Sequence, residues 1–338
     1  MDTITFLLPG LLGTYPGVAA ADRPALPGIE KILSRGNTSH FQGRSYYEDL
    51  WEHFNLDKSE TQDLPVAPVT RLVDGVDPPE GIWVRADPVH LAAGRSGLVM
   101  SPPSKLQLTQ HDAIILAATL EDLFTERGWS LEVPITNRWY LKLPELPAIR
   151  TTEIDYVVGK EIQPYMPEGT DRNKWLSLMN EVQMLLHDCE INLQREGRGE
   201  LPVNSLWFWG IGVMPDIIQR QWSVIYTDDP VARGMAMLSG TRCPELPGDI
   251  SVMIGDPGVR GDVLIASTRL LSFTPDDLEG WLAAITDLER AWFTPACDAA
   301  AAGQLKSVTI DTGDYQVLFD RRSSRRFWRF RKSVVNYR

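Results

Sequence analysis

The chain has 338 residues, 43% of them hydrophobic and 23% charged, with a formal net charge of −12. That length and apolar content allow one large α/β domain or two ordinary ones and exclude a small stapled scaffold. No apolar run approaches the roughly 18 residues of a membrane span, and the acidic balance speaks against a nucleic-acid-binding surface over most of the chain.

The N-terminal stretch "MDTITFLLPGLLGTYPG" has Asp2 and no basic residue ahead of a short apolar run interrupted by Pro9 and Gly10. It reads as a buried first strand, Thr3 to Leu8, and not as a signal peptide. "LPGIEKILSR" (26–35) has a helical apolar stripe closed by Gly36, and strand, loop and helix in that order suggest a parallel α/β layer. "SYYEDLWEHFNL" from Ser45 predicts a second short helix. The Pro- and Asp-rich run 63–79 marks a boundary.

"GIWVRADPVHL" (81–91) predicts a strand. Thr109 opens an amphipathic helix that runs to Gly128, and the strands "SLEVPI" and "RWYLKL" follow. Strands flanking a helix without β-α-β alternation predict an inserted α+β subdomain over 80–160, the core domain being 1–79 and 161–338. One long helix is expected over 171–195. Alternating strands and helices after Gly212 then complete the sheet begun at residue 3.

Cys189, Cys243 and Cys297 show no C-x-x-C spacing. This fits a reducing cytoplasm, the expected location, and gives no metal–thiolate signature. Residues 321–338 carry seven Arg and one Lys with no acid. The favoured reading of this tail is a fold-back, its aromatics packing on the body and its arginines meeting the body's acidic charge. The alternatives are a nucleic acid or an acidic lipid surface, bound by charge plus stacking or wedging, and a protein partner held through Arg321–Arg338. Neither a membrane nor a nucleic acid is expected as a partner.

The segment "HDCEINLQREGRGELPVNSLWFWGIG" (187–212) carries Asn192, Arg195, Gly199, Pro202, Asn204, Gly210 and Gly212. Its pattern, His then Asn-x-x-Arg-x-x-x-Gly-x-x-Pro-x-Asn, an apolar strand and Gly-x-Gly, resembles the archaeal-type cofactor-independent phosphoglycerate mutases of the alkaline phosphatase superfamily. "LPGIEKILSRG", "GIWVRADPVHL" and "NRWYLKL" are similar to further segments of that family. "RADPVHL" and "PVNSLW" resemble a bacterial branch described as phosphoglycerate-mutase-like or as regulators of pathogenicity factors. The resemblance implies an alkaline-phosphatase-like fold, a mostly parallel sheet sandwiched by helices with an inserted subdomain. It also implies a substrate clamp of Arg85 and Arg138 together with Asn192, Arg195 and Asn204.

Enzymes of that family move a phosphoryl group through a serine with two divalent metals, which need several Asp and His ligands. Where the family's first strand ends in Asp-Gly, this chain reads Leu8-Pro9-Gly10, and none of its five His lies beyond His187. The expectation is therefore that the two-metal centre is lost, with no metal and no cofactor, Mn or Mg entering only if an atypical carboxylate site exists. Ser45 stands roughly where the resemblance places the phosphorylated serine, but Ser-x-x-Glu is also a capping box. Residue by residue, Arg85–Asp87 also reads as a structural pair, His90 as a satisfied polar residue, and "WFWG" as core.

The expected function is that of a degenerate phosphoglycerate-mutase-like protein, regulatory or binding a small phosphorylated or carboxylated metabolite. The alternatives are an active mutase or phosphohydrolase with an atypical metal site, and a protein-interaction module working through the basic aromatic tail.

Overall fold

The computed structural model describes residues 2–12, 24–41, 44–56, 62–75, 80–216, 219–254, 256, 258–273, 277–330 and 333–334. In chain order the strands are β1 (Thr3–Leu7), β2 (Asn37–His40), β3 (Ile82–Val89), β4 (Leu91–Ala93), β5 (Leu98–Met100), β6 (Ser130–Ile135), β7 (Arg138–Leu143), β8 (Ile149–Arg150), β9 (Glu168–Gly169), β10 (Ser205–Gly212), β11 (Val224–Thr227), β12 (Val263–Ala266), β13 (Ser307–Asp311) and β14 (Tyr315–Asp320). The chain divides into two compact units, residues 1–56 with 217–338, and residues 57–216.

In the first unit the sheet order is β11-β12-β1-β13-β14-β2. β11, β12, β1 and β13 run parallel, and β14 and β2 add antiparallel. The mostly parallel sheet is the one that the alternation of strands and helices predicts. Successive side chains of a strand point to opposite faces, so Ile4 and Phe6 share one face. Their register partners Val263, Ile265, Val308 and Ile310 extend it, and all six are fully buried. Phe6 stacks on Trp292 at 5.9 Å and meets Phe293 edge-on at 5.8 Å. Helix α1 (Pro27–Arg35) adds Ile29, Ile32 and Leu33 to the same core.

The start of α1 is capped from elsewhere in the chain. Leu26, at the N-cap, makes no side-chain cap, so the first amide groups need another acceptor. Glu289 supplies it: its buried carboxylate accepts from Gly28 N at 2.6 Å, Ile29 N at 3.0 Å and Thr294 Oγ1 at 2.5 Å. Glu289 opens a single π turn, Glu289–Phe293, between the helices Leu278–Leu288 and Thr294–Ala302. A Cβ on Gly28 would stand 2.7 Å from Thr294 N, so this close approach excludes any side chain there. Helix α2 (Tyr46–His53) completes the part of the unit that matters below.

The second unit holds the antiparallel sheet β10-β3-β7-β6, with β4-β5 and β8-β9 as small ribbons. Every residue of β10, Ser-Leu-Trp-Phe-Trp-Gly-Ile-Gly, is buried, which settles "WFWG" as core. Its pairing with β3 is irregular between Trp209 and Gly212, and Gly210 has φ +66°. Added Cβ atoms would lie 2.9 Å from Val66 Cβ at Gly210 and 2.6 Å from Pro65 Cβ at Gly212. The Gly-x-Gly thus makes a bulge over which helix α3 (Val66–Asp74) passes closely.

Three differences from the sequence reading have simple causes. The run 63–79 contains α3 because Pro68 falls in the first turn, where proline is tolerated. The second unit is wider than 80–160 because β10 pairs with β3 and α3 packs on both. The helices expected over 110–127 and 171–195 each break in two. The first becomes Gln110–Thr119 and Glu121–Thr125, and the second Arg172–His187 and Glu190–Gly197.

Candidate functional site

The residues of the 187–212 motif hold the second unit's own backbone. Asn192 is buried; its amide nitrogen donates to Leu186 O and Val203 O, each at 2.8 Å, and its oxygen accepts from Val203 N at 3.0 Å. Arg195 is completely buried. Nη1 donates to Asp112 Oδ2 at 2.7 Å, Nε and Nη2 to Leu201 O at 3.1 and 3.0 Å, and Nη2 also to Leu106 O. Glu200 adds a carboxylate oxygen 3.3 Å from Nη1. A guanidinium has five N–H donors, and these contacts engage all three of its nitrogens. Asn204 copies a strand neighbour: Oδ1 accepts from Leu91 N at 2.8 Å and Nδ2 donates to Leu91 O at 2.9 Å. Pro202 O accepts from His90 Nδ1 at 2.9 Å, which leaves His90 a satisfied polar residue.

The two arginines implied by the resemblance meet in one network on the sheet of the same unit. Arg85 of β3 grips Asp87 with both prongs, at 2.9 and 2.8 Å, and Trp209 Nε1 donates to the same carboxylate at 2.7 Å. Burial pushes the Asp87 carboxyl up, against the pull of Arg85 and Trp209. Arg138 of β7 makes a second two-pronged pair with Asp74, 2.6 Å on each prong, and Tyr140 Oη donates to that carboxylate at 2.6 Å. The Arg85 guanidinium sits 5.5 Å from the Tyr140 ring centre and joins the two pairs. The Arg138 side chain is 24% exposed and that of Arg85 6%.

In open α/β sheets the carboxyl ends of the strands are the usual place for ligands. At that edge of the first unit, Asp228 after β11 accepts from Ser267 Oγ at 2.8 Å and Thr268 N at 3.2 Å. Asp229 caps the next helix through Ala232 N at 2.7 Å. Asp311, ending β13, takes His53 Nε2 at 3.0 Å and Gln316 Nε2 at 3.2 Å. Asp49, one turn before His53 on α2, is 2% exposed, and neither carboxylate oxygen accepts a hydrogen bond among the described residues. Burial and the Asp311 charge push its carboxyl up to about 8, against Arg44, whose Nη1 lies 3.6 Å away. Asp49, His53 and Asp311 carry no motif, and the only sequence signal for them is a carboxylate at a strand end beside an Asp-x-x-x-His helix turn.

Ser45 is the N-cap of α2. Its Oγ accepts from Glu48 N at 3.2 Å while Glu48 returns a bond to Ser45 N at 3.1 Å, the reciprocal capping box. At the carboxyl end of β1 stand Leu8, Pro9 and Gly10. Among the described residues no group of three or more His, Cys, Asp or Glu side chains is placed to hold a metal ion. Among the described residues, the end of β1 lacks the Asp-Gly that the resemblance implies, and the start of α2 uses Ser45 as a helix cap. Among the described residues, too, no helix is long and apolar enough to cross a membrane.

No protein-family model matches the chain. It is 28% identical over 149 residues to the 2,3-bisphosphoglycerate-independent phosphoglycerate mutase of Methanosarcina barkeri, 42% of this chain and 37% of that protein. To the mutase of the same description from Methanothrix thermoacetophila it is 29% identical over 98 residues, 27% of this chain and 25% of that protein. The chain thus spans well under half the length of these curated relatives. The solved PH0037 protein from Pyrococcus horikoshii matches 94% of this chain and 86% of its own, with a TM-score of 0.52 and 14% identity. The cofactor-independent phosphoglycerate mutase from Thermoplasma acidophilum matches 99% and 94% at a TM-score of 0.45 and 18% identity. The fold is α/β and alkaline-phosphatase-like, a mostly parallel sheet with flanking helices, and a relationship to the phosphoglycerate mutases is supported.

Proposed function

We propose that this chain is a phosphoglycerate-mutase-related protein of a degenerate branch, working as a regulatory or small-anion-binding protein without two-metal phosphoryl transfer. The observation that carries the reading is the end of β1, where Leu8, Pro9 and Gly10 offer no side-chain ligand. The capping box of Ser45 supports it, since that hydroxyl already serves the helix by accepting from Glu48 N. Of the five side chains the resemblance implies for binding, Arg85, Asn192 and Arg195 are buried in internal bonds and Asn204 pairs with Leu91. Arg138 is the arginine that reaches solvent, and the ligand is a phosphorylated or carboxylated metabolite that shares it with Asp74.

The names of the curated relatives favour a second reading, an active mutase. Two measurements on the full chain separate them. In an assay with Mn and 3-phosphoglycerate, turnover is expected at background for the wild type and for Ser45→Ala alike. In calorimetric titration, 3-phosphoglycerate or inorganic phosphate is expected to bind, and Arg138→Met to weaken that binding about tenfold, the scale of one charge-assisted pair. Mn-dependent turnover that disappears in Ser45→Ala establishes the mutase instead. Binding unchanged in Arg138→Met removes the anion site from β7.

A further inference from the structure

The end of the first unit displays aromatic side chains where a fold-back onto the body was expected. Phe327, Trp328 and Phe330 are 80, 63 and 90% exposed. The arginines between them do the anchoring. Arg326 Nη1 donates to Arg35 O at 2.9 Å and Asn37 Oδ1 at 2.7 Å, and Arg329 Nη1 donates to Gly36 O at 2.9 Å. In return, Arg35 Nη1 donates to Ser324 O at 2.6 Å. Asp320 fixes the preceding turn by accepting from Ser323 N at 2.7 Å. The segment is therefore tied by its backbone and its arginines to the end of α1 and the start of β2, and its rings point away.

Three large apolar rings held in water need an apolar environment to be worth ordering. Around them Arg321, Arg322 and Arg325 are exposed, and no acid occurs from 321 to the end of the chain. Charge of a single sign along the segment itself, with Asp320 taken up in capping its first turn, suits a surface that is uniformly negative, such as an anionic bilayer. The Phe327 and Trp328 rings lie 5.3 Å apart at 80° to one another, so they do not offer the parallel platform on which successive bases stack. Aromatic rings beside arginines match the interfacial zone of a bilayer, where rings sit at headgroup depth and cations meet anionic lipid. The acidic body does not forbid this, because its field is screened within about 8 Å at physiological salt.

We propose that residues 321–330 form a peripheral docking surface for anionic lipid, with Phe327, Trp328 and Phe330 entering the headgroup layer and Arg321, Arg322 and Arg325 pairing with lipid phosphates.

The test is co-sedimentation of the full chain with vesicles of phosphatidylcholine containing about one third phosphatidylglycerol, against phosphatidylcholine alone. Binding to the anionic vesicles only is expected, falling about tenfold in Phe327→Ser/Trp328→Ser/Phe330→Ser and again in Arg321→Gln/Arg322→Gln/Arg325→Gln. All six side chains are exposed, and unchanged circular dichroism verifies that both variants fold. The proposal is overturned if the wild type ignores anionic vesicles or if either variant binds as well as the wild type. It is equally overturned if the ring substitutions leave vesicle binding intact while abolishing self-association in sedimentation velocity or binding to single-stranded RNA.

Discussion

Arg195→Met is expected to destabilise the 57–216 unit by about 3–5 kcal/mol, the cost of leaving a buried carboxylate without its partner. Arg195 is fully buried and Asp112 nearly so, and their ion pair is 2.7 Å long. The same substitution strands the carbonyls of Leu106 and Leu201, which Arg195 also serves. Methionine fills the volume, so the loss reads out bonding more than packing. Urea unfolding followed by tryptophan fluorescence measures it, since Trp139, Trp207 and Trp209 are buried in this unit. The double variant Arg195→Met/Asp112→Leu is expected to recover the part of the loss due to the buried charge, because no carboxylate is then left unpaired, while the Leu106 and Leu201 carbonyls stay without this donor. A single variant within about 1 kcal/mol of the wild type, the range of an exposed pair, would mean that the motif is not a structural lock.

Asp49→Asn is expected to change how stability depends on pH. The Asp49 carboxyl is raised from 3.8 to about 8 by burial first and Asp311 second, with smaller contributions from Glu52 and Glu48, and Arg44 opposes them. Between those two values the folded chain holds a proton that the unfolded chain releases, so this group lowers stability as pH rises from 4 to 8. The slope from one such group is at most about 1.4 kcal/mol per pH unit. Asparagine cannot ionise and removes the slope: the variant should match the wild type near pH 4 and exceed it at pH 8. Thermal unfolding at a series of pH values distinguishes this from the opposite outcome, a variant weaker at pH 8, which would show Asp49 ionised and paired with Arg44.

Much of the fold was legible because it rests on local pattern. β1, β3, β6, β7, β13 and β14 fall where β-branched and alternating residues predict strands, and the capping box of Ser45 and Glu48 is a four-residue signal. What escaped depends on contacts distant in sequence. Glu289 caps α1 from 261 positions away, measured to Gly28, and β10 joins β3 across more than a hundred residues, which moves the unit boundaries.

The candidate site shows the same division. Asn192, Arg195 and Asn204 stood out by spacing, yet spacing alone does not say whether a polar group faces a ligand or a carbonyl. All three bond backbone groups, Arg195 pairing with Asp112 as well, and Arg85 and Arg138 share a network that no short motif encodes. Asp49 shows in the sequence only through its Asp-x-x-x-His spacing to His53, because the burial of a carboxylate leaves no local pattern.

The most direct test of the central claim is the metal content of the full chain after incubation with excess Mn and removal of free ion, read by elemental analysis. Well below one Mn per chain is the expected result, because the end of β1 carries leucine, proline and glycine. Two tightly held Mn per chain would contradict it and return the protein to the metal-dependent mutases.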